Sequence, residues 1–196
     1  MPRQPRMLMD GGYYHIITRG IDRRRLFRHK QDYEFFSEVI KKYLPKFQLD
    51  IVHYCFMPNH IHLLLYLRHK EDLAKFMQII LQVYASYYRR RYHSTGFIFQ
   101  NRYKSRFIDS DSYLLECGRY IERNPLRAKI TEDLLDYPWN SFSFYAEGRD
   151  NGIIKNANPM YSELGVTKQE RQIEYARRTL ETRPYEEIID KEFRIR

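Results

Sequence analysis

The fold is decided by residues 49–67, which read LDIVHYCFMPNHIHLLLYL. Both halves of this stretch are rich in the β-branched, aromatic and aliphatic residues that buried strands use. Only residues 57–59 (MPN) separate the halves, and a connection of this length suits a hairpin. We therefore predict two antiparallel strands, over residues 49–56 and 60–67.

Segments on either side of this hairpin alternate between strand and helix patterns. Residues 13–19 are rich in β-formers, and residues 32–44 carry apolar side chains at helical spacing up to Pro45. A longer amphipathic helix over residues 71–91 precedes a strand over residues 102–109. The order βαββαβ predicts an α+β fold, a ferredoxin-like antiparallel sheet of four strands with two helices on one face.

An added helix is predicted to cover the other face of the sheet. It begins near Asp111 and ends at about Asn124, because the residue before a proline is biased away from the α conformation. Helical spacing places Tyr120 and Asn124 together at one edge of its apolar stripe. We assign residues 1–146 to one domain and residues 147–196 to a linker and helical extension.

Composition limits the classes of protein to which the chain can belong. Lys and Arg total 34 against 25 Asp and Glu, and the net charge of +9 favours a phosphate-rich partner or an acidic membrane surface. No apolar run approaches the roughly 18 residues of a membrane span, and the basic N-terminus lacks the apolar core of a secretory signal. We expect a soluble, cytoplasmic protein with no membrane partner.

Cys55 and Cys117 cannot build a disulfide framework and are expected to be buried.

His60 and His62 point to one face of the second hairpin strand, because alternate residues of a strand share a face. Paired histidines on a strand also occur without any ligand, so alone they favour an ordinary structural role. If the Tyr120 helix covers this face, two imidazoles and the carboxamide oxygen of Asn124 form an incomplete set of metal ligands with room for substrate. These ligands accept Mn or Zn, and phosphate oxygens recruit Mg, so we rank Mg or Mn first.

Tyr120 is one of 18 tyrosines, most of which are better explained by packing than by catalysis. A phenol with a pKa of about 10 is a poor nucleophile at neutral pH and needs a nearby metal that polarises the phosphate. Attack on a phosphodiester would leave a covalent phosphotyrosine and keep the bond energy for rejoining. No nucleotide cofactor is expected, and the chain has no GxxxxGKS/T loop.

Basic residues near the predicted site are candidates for DNA contact. The strand over residues 102–109 alternates basic with other side chains, as a strand with one basic face does. For this face we favour phosphate contact, whereas for the triplets at residues 23–25 and 89–91 solvated charge is an equal alternative. The candidate DNA-binding residues are Arg19, Arg23, Arg24, Arg102, Lys104 and Arg106.

Four motifs in a fixed order carry a resemblance to a known family. They are YHIITRG at residues 14–20, MPNHIHLLL at 57–65, GFIFQNRYKS at 96–105 and the pattern YIxxNPxRA at 120–128. Across residues 12–145 the chain resembles the single-tyrosine HUH transposases, particularly the REP-associated tyrosine transposase branch.

This resemblance implies a site and a reaction. His60 and His62 would be the metal ligands, Asn124 the third ligand and Tyr120 the nucleophile. The family cleaves and rejoins single-stranded DNA, and the chain resembles members that cut beside a hairpin formed by a palindromic repeat. Such enzymes keep the 5′ phosphate on tyrosine and release a 3′ hydroxyl.

Two other functions stay open on the residues alone. RNA-recognition domains share the βαββαβ order and stack bases on sheet aromatics. Here the open face instead carries His60, His62 and, if in register, His53, which favours an enzyme over a non-catalytic hairpin-binding protein. A metallonuclease that uses activated water would leave Tyr120 without a role and form no covalent adduct. The short link between the fourth strand and the Tyr120 helix favours a monomer, with a homodimer as the alternative.

Overall fold

A computed structural model describes residues 8–183 of the chain. The predicted order of strands and helices is confirmed. The fourth strand is shorter than residues 102–109, so Arg102 lies in the loop before it. The strands are β1 (Gly12–Arg19), β2 (Leu49–Met57), β3 (His60–Leu67) and β4 (Lys104–Ile108), and the helices are α1 (Lys30–Tyr43), α2 (Lys70–Tyr92), α3 (Asp111–Arg127), α4 (Phe142–Glu147) and α5 (Lys168–Leu180).

The four strands form one antiparallel sheet in the order β2-β3-β1-β4. This pairing places Arg19 opposite His60, and it places Ile17 opposite both His62 and Lys104. Directly paired residues of antiparallel strands point to the same face. The histidine pair and the basic side of β4 therefore share one face of the sheet.

Different helices cover the two faces. On one face α1 and α2 pack with side chains such as Phe36, Phe76 and Tyr84, which are fully buried. On the other face α3 packs Leu114 and Ile121 against the strands, as predicted for the added helix. Both cysteines are buried. No helix between residues 8 and 183 is long and apolar enough to cross a membrane.

Helix α3 continues through Pro125 to Arg127, so the expectation that it ends at Asn124 is wrong. Pro125 lacks the N–H that would bond to the Ile121 carbonyl in a regular helix. The side-chain amide of Asn124 takes that place, because its Nδ2 donates to the carbonyl oxygens of Ile121 at 3.2 Å and Tyr120 at 2.8 Å. The helix therefore passes the proline without leaving the Ile121 carbonyl unbonded.

The chain beyond residue 147 packs against α3 through α5, which begins at a capping box formed by Thr167 and Glu170. Two arginines of α3 bond to the last carbonyls of α5. Arg119 donates to the Arg178 carbonyl at 2.8 Å, and Arg123 donates to the Thr179 carbonyl at 2.7 Å. Basic side chains at a helix C-terminus satisfy its free carbonyls and interact favourably with its dipole. The domain boundary itself stays a prediction.

A buried polar network joins α3, the sheet and α5. The Glu122 carboxylate accepts hydrogen bonds from Ser141 at 2.5 Å and from Tyr175 of α5 at 2.6 Å. It also lies 2.9 Å from Nδ1 of His53 on β2, whose Nε2 is 3.0 Å from the amide nitrogen of Asn158. All five side chains are at most 1% exposed. These hydrogen bonds offset the free energy that burial of polar groups otherwise costs.

Helix α3 also lies close to the His53 ring at Gly118. A Cβ there would lie 2.5 Å from Nε2 and 2.6 Å from Cε1 of His53. Glycine to alanine inside a helix ordinarily stabilises by about 1 kcal/mol. Because Glu122 and Asn158 hold the ring in place, we expect Gly118→Ala instead to lower the free energy of unfolding by about 1–3 kcal/mol in urea titrations.

A double-mutant cycle controls this prediction. In a His53→Ala background the ring is gone, so the Gly118→Ala methyl should be neutral or stabilising. A Gly118→Ala protein more stable than the wild type would show that the His53 ring moves aside freely.

Candidate catalytic pocket

A pocket of about 350 Å³ opens where β1 ends and β3 begins. Most of the functional residues predicted from the sequence line it, although they come from four separate segments of the chain. These are Tyr120, His60, His62, Asn124, Arg19, Arg23, Arg102 and Lys104.

Two predicted DNA-binding residues, Arg24 and Arg106, lie outside the pocket lining. Nη1 of Arg24 donates to Oγ of Ser94 at 2.8 Å, which joins the loop after β1 to the end of α2. Arg106 is exposed on β4 opposite His15, further along the strand from the pocket than Lys104. Their contact with DNA stays a prediction.

The two histidines of β3 have different surroundings. His62 is 1% exposed, and its Nδ1 lies 2.9 Å from Nε2 of His15 on β1. The Nε2 of His62 has no hydrogen-bond partner within residues 8–183. His60 is less buried, and its Nδ1 is 2.6 Å from Oδ1 of Asn59. Because an amide oxygen only accepts, this contact keeps the proton on Nδ1 and leaves Nε2 of His60 unprotonated and able to accept.

These imidazoles are neutral at neutral pH. Burial, with Arg19 nearby, lowers the pKa of His60 to about 4. Burial, with Arg106 nearby, lowers the pKa of His15 to about 3. The pKa of His62 is held well below its usual value, again mainly by burial. Neutral imidazole is the form that binds a metal ion, so no proton has to leave before these histidines can act as ligands.

Tyr120 lies on α3 above the buried histidines. Its side chain is 8% exposed, and its ring centroid lies 5.9 Å from that of His62 and 6.0 Å from that of His15, edge-on in both pairs. The guanidinium carbon of Arg127 lies 5.5 Å from the centroid of the Tyr120 ring. A positive charge at this distance favours negative charge that develops on the phenol oxygen.

Asn124 lies one helical turn after Tyr120 and lines the same pocket, as its spacing predicts. Its Nδ2 is bonded to carbonyls of its own helix, whereas its Oδ1 accepts no hydrogen bond from any described residue. Nε2 of His60, Nε2 of His62 and Oδ1 of Asn124 are thus free of partners within the described chain. Two imidazole nitrogens and an amide oxygen are a donor set that fits a divalent cation and leaves positions for substrate oxygens.

A second group of possible ligands lies elsewhere. Asp10, His69 and Glu71 are exposed, and one ligand atom from each falls within 4.8 Å of the others, which fits a divalent metal. This group flanks the end of the sheet where β1 begins, opposite to the pocket. A cation bound there is too remote to act on a phosphate beside Tyr120.

The loop after β1 brings Arg23 to the pocket through an unusual backbone conformation. Asp22 and Arg23 both have positive φ, at 49° and 57°. This left-handed conformation costs a non-glycine residue about 1–2 kcal/mol. Gly20 allows the tight turn, because a Cβ there would lie 2.2 Å from the Arg24 carbonyl oxygen. Backbone strain of this kind is concentrated at functional sites.

The basic residues of the pocket differ from those of α5 in how they are paired. Arg19, Arg23, Arg102 and Lys104 form no ion pair with any residue between 8 and 183, whereas the α5 arginines at 177 and 178 are both paired with Glu174. Unpaired cations are free to bind phosphate without first breaking an internal salt bridge. The pocket is therefore suited to an anionic ligand.

Sequence reasoning missed several residues of this site. Strand alternation places His15 on the face of His62, but only the pairing of β1 with β3 makes them neighbours. Asn59 precedes His60 directly, yet nothing local shows that its oxygen meets the ring. Arg127 was identified only as part of a motif. Conversely, His53, expected on the open face if in register, lies beneath α3 and outside the pocket.

Residues 9–124 match a family model described as IS200-like transposases. Among solved structures, the chain is similar to a REP-associated tyrosine transposase bound to a REP hairpin, with a TM-score of 0.63 and 18% identity over 80% of this chain and 92% of that one. A protein of Deinococcus radiodurans assigned as a transposase aligns with a TM-score of 0.43 and 16% identity, over 62% of this chain and 97% of that one. No protein with a curated description matches.

Proposed function

Because the chain belongs to the IS200-like transposase family, whose members bind DNA and act in its transposition, we propose that it cleaves and rejoins single-stranded DNA beside a hairpin. The observation that carries this proposal is the pocket in which Tyr120, two histidines with available nitrogens and the Asn124 side chain converge. The four ordered motifs and the shared fold support placing the chain in the REP-associated branch.

The proposed reaction is a transesterification at phosphorus. The phenol oxygen of Tyr120 forms a bond to the phosphorus of a phosphodiester while the bond from phosphorus to the 3′ oxygen breaks. The phenol loses its proton and the departing oxygen gains one, which leaves a 5′ phosphotyrosine and a free 3′ hydroxyl. Rejoining is the reverse, with a 3′ hydroxyl as nucleophile. Since the bond energy is kept, no nucleotide cofactor is needed.

His60, His62 and Asn124 would hold a divalent cation, with Mg or Mn preferred because phosphate oxygens complete the ligand set. When bound, the cation supplies charge that polarises the phosphate. Residues of the chain make two further contributions. Burial keeps the histidines neutral. Arg127 offsets negative charge on the phenol.

The DNA strand would be held by the basic residues of the pocket. Arg19 and Lys104 stand on the sheet beside the histidines, and Arg23 and Arg102 come from loops on either side. Phosphate contacts from several directions fix the strand in register without reading its sequence. Arg24 and Arg106 would contact phosphates further from the cleaved bond. The hairpin partner is proposed because the structurally similar transposase is bound to one.

The pocket is formed by residues of a single chain. Helix α3 begins three residues after β4 ends and packs on its own sheet. The 5.9 Å separation of the Tyr120 and His62 rings is therefore within one molecule. We infer that a monomer is sufficient for catalysis.

The direct test is detection of the covalent adduct. The purified chain is incubated with single-stranded hairpins that carry flanking sequence, with Mg or Mn, and analysed by denaturing electrophoresis and peptide mass mapping. A bridging sulfur at the 3′ position traps the intermediate, because the departing thiol rejoins poorly. An adduct on Tyr120 supports the proposal. Cleavage without an adduct favours metal-activated water, and binding without cleavage favours a non-catalytic hairpin-binding protein.

His15 should affect metal binding without contacting the metal. Its Nε2 lies 2.9 Å from Nδ1 of His62, which leaves Nε2 of His62, without a partner in residues 8–183, available to a metal. Loss of such a supporting contact typically weakens metal binding by about 10–100-fold. We expect this loss of Mn²⁺ affinity for His15→Phe, measured by electron paramagnetic resonance.

A matched control is His53→Gln, which alters an equally buried histidine whose partners are Glu122 and Asn158. It should change stability and leave Mn²⁺ affinity within about threefold of the wild type. Equal affinities of the His15→Phe and wild-type proteins would contradict a supporting role for His15.

A further inference from the structure

The geometry around Pro125 points to a function for this residue, although it does not line the pocket. Pro125 stands inside α3, in a helix interior that normally excludes proline. It directly follows Asn124, the proposed amide ligand. We propose that Pro125 is a positioning residue, which orients the Asn124 amide by leaving the Ile121 carbonyl available to it. This inference rests on the proposed role of Asn124 as a ligand.

Pro125 leaves one turn of α3 short of a backbone hydrogen-bond donor. In a regular helix the N–H of residue 125 would bond to the Ile121 carbonyl. Proline has no N–H, so this carbonyl needs another donor. Nδ2 of Asn124 supplies it at 3.2 Å and bonds at the same time to the Tyr120 carbonyl at 2.8 Å.

The two bonds from Nδ2 fix the orientation of the Asn124 amide group. An asparagine amide has two N–H donors on one side and an oxygen acceptor on the other. When both donors are engaged by carbonyls of the same helix, the amide plane is fixed and the nitrogen and oxygen cannot exchange places. Oδ1 is then the atom left for the pocket, which Asn124 lines.

Any residue other than proline at position 125 would restore the missing backbone donor. A residue with an N–H would bond to the Ile121 carbonyl through its backbone and compete with Nδ2. The amide would keep only its bond to Tyr120 and gain freedom to rotate about its last torsion, for which many orientations are accessible. Affinity for the metal ion would fall, because the oxygen ligand would no longer be preorganised.

The test compares three variants with the wild type by Mn²⁺ titration without DNA, followed by electron paramagnetic resonance. Pro125→Ala restores the N–H, and we expect its dissociation constant for Mn²⁺ to rise about tenfold, at the low end of the effect of supporting groups. Asn124→Ala removes the proposed ligand, so its dissociation constant for Mn²⁺ should rise further. In the Asn124→Ala background, Pro125→Ala should have no additional effect.

Stability separates positioning from damage to the fold. Alanine is a far better helix former than proline, so the Pro125→Ala protein should melt at the same or a higher temperature while it binds Mn²⁺ more weakly. L-lactic acid at position 125 is the matched control, because it carries the methyl group of alanine but, like proline, no N–H. This ester variant should bind Mn²⁺ within about threefold of the wild type.

The outcomes distinguish this inference from the function it rests on. Wild-type Mn²⁺ affinity in Pro125→Ala, with weakened binding in Asn124→Ala, would overturn the inference and leave the ligand assignment intact. Equal weakening of the alanine and lactic acid variants would also overturn it, because the ring would then matter and not the missing N–H. Unchanged Mn²⁺ affinity in Asn124→Ala would show that Asn124 is not a ligand and would overturn the inference. An adduct on Tyr120 would still support the proposed cleavage reaction in that case.

Discussion

Replacement of Tyr120 by phenylalanine should abolish the covalent protein–DNA adduct and reduce strand cleavage by about 10³-fold or more, as loss of a nucleophile does in other enzymes. The change removes one oxygen atom and keeps the ring that packs edge-on against His62 and His15. Hairpin affinity should therefore stay within about threefold of the wild type, since phosphate contacts supply most of the binding energy. Adduct formation is measured on trapping hairpins, and affinity by fluorescence anisotropy at one fixed salt concentration.

Tyr137→Phe is a matched control for this experiment. Tyr137 packs in the same cluster as Tyr120 and is 7% exposed, close to the 8% of Tyr120. Its hydroxyl donates to the Phe56 carbonyl at 2.7 Å, so its loss should cost about 1 kcal/mol of stability and leave adduct formation intact. Cleavage that persists in Tyr120→Phe would instead identify a nuclease that uses metal-activated water.

Replacement of Glu122 by alanine should lower the free energy of unfolding by about 3–5 kcal/mol, because it leaves several buried hydrogen-bonding groups without a partner, at a cost of about 1–3 kcal/mol each. His53, Ser141 and Tyr175 would each lose their partner on α3 in a site closed to water. Because Tyr175 belongs to α5, the loss should also release α5 from α3. Urea unfolding measures the stability, and limited proteolysis between residues 148 and 157 reports the release.

Two milder variants calibrate this result. Glu122→Gln keeps the shape and one acceptor oxygen, so it should lie between the wild type and Glu122→Ala. Tyr175→Phe removes only the hydrogen bond to Oε2 of Glu122 and should cost about 1 kcal/mol. A Glu122→Ala protein within about 1 kcal/mol of the wild type would show that the network adds little to the stability of the fold.

Local patterns carried most of the prediction of the fold. The hairpin of β2 and β3 follows from two apolar runs around a three-residue connection, and the amphipathic period of α2 follows from its own residues. The end of α3 was predicted wrongly, because the rule that a proline stops a helix considers only the backbone. In this chain the side chain of Asn124 supplies the bond that the proline lacks.

The site was predictable to the extent that its residues are close in the sequence. His60 and His62 share a face because strands alternate, and Tyr120 and Asn124 share an edge because helices turn every 3.6 residues. That these two pairs meet in one pocket followed from the expected order of elements. Which residues support them did not, because His15 reaches His62 only through the pairing of distant strands.

The sequence by itself determined the positive charge, the order of strands and helices, and the pairing of His60 with His62 and of Tyr120 with Asn124 on shared faces. The charge follows from composition, and the other features follow from spacing within single elements. Only the tertiary structure decided that Arg23, Arg102 and Lys104 enter one pocket while Arg24 and Arg106 do not. It also decided that Glu122 joins α3 to α5 in a closed polar network. These features depend on contacts between residues far apart in the chain, and local periodicity carries no information about them.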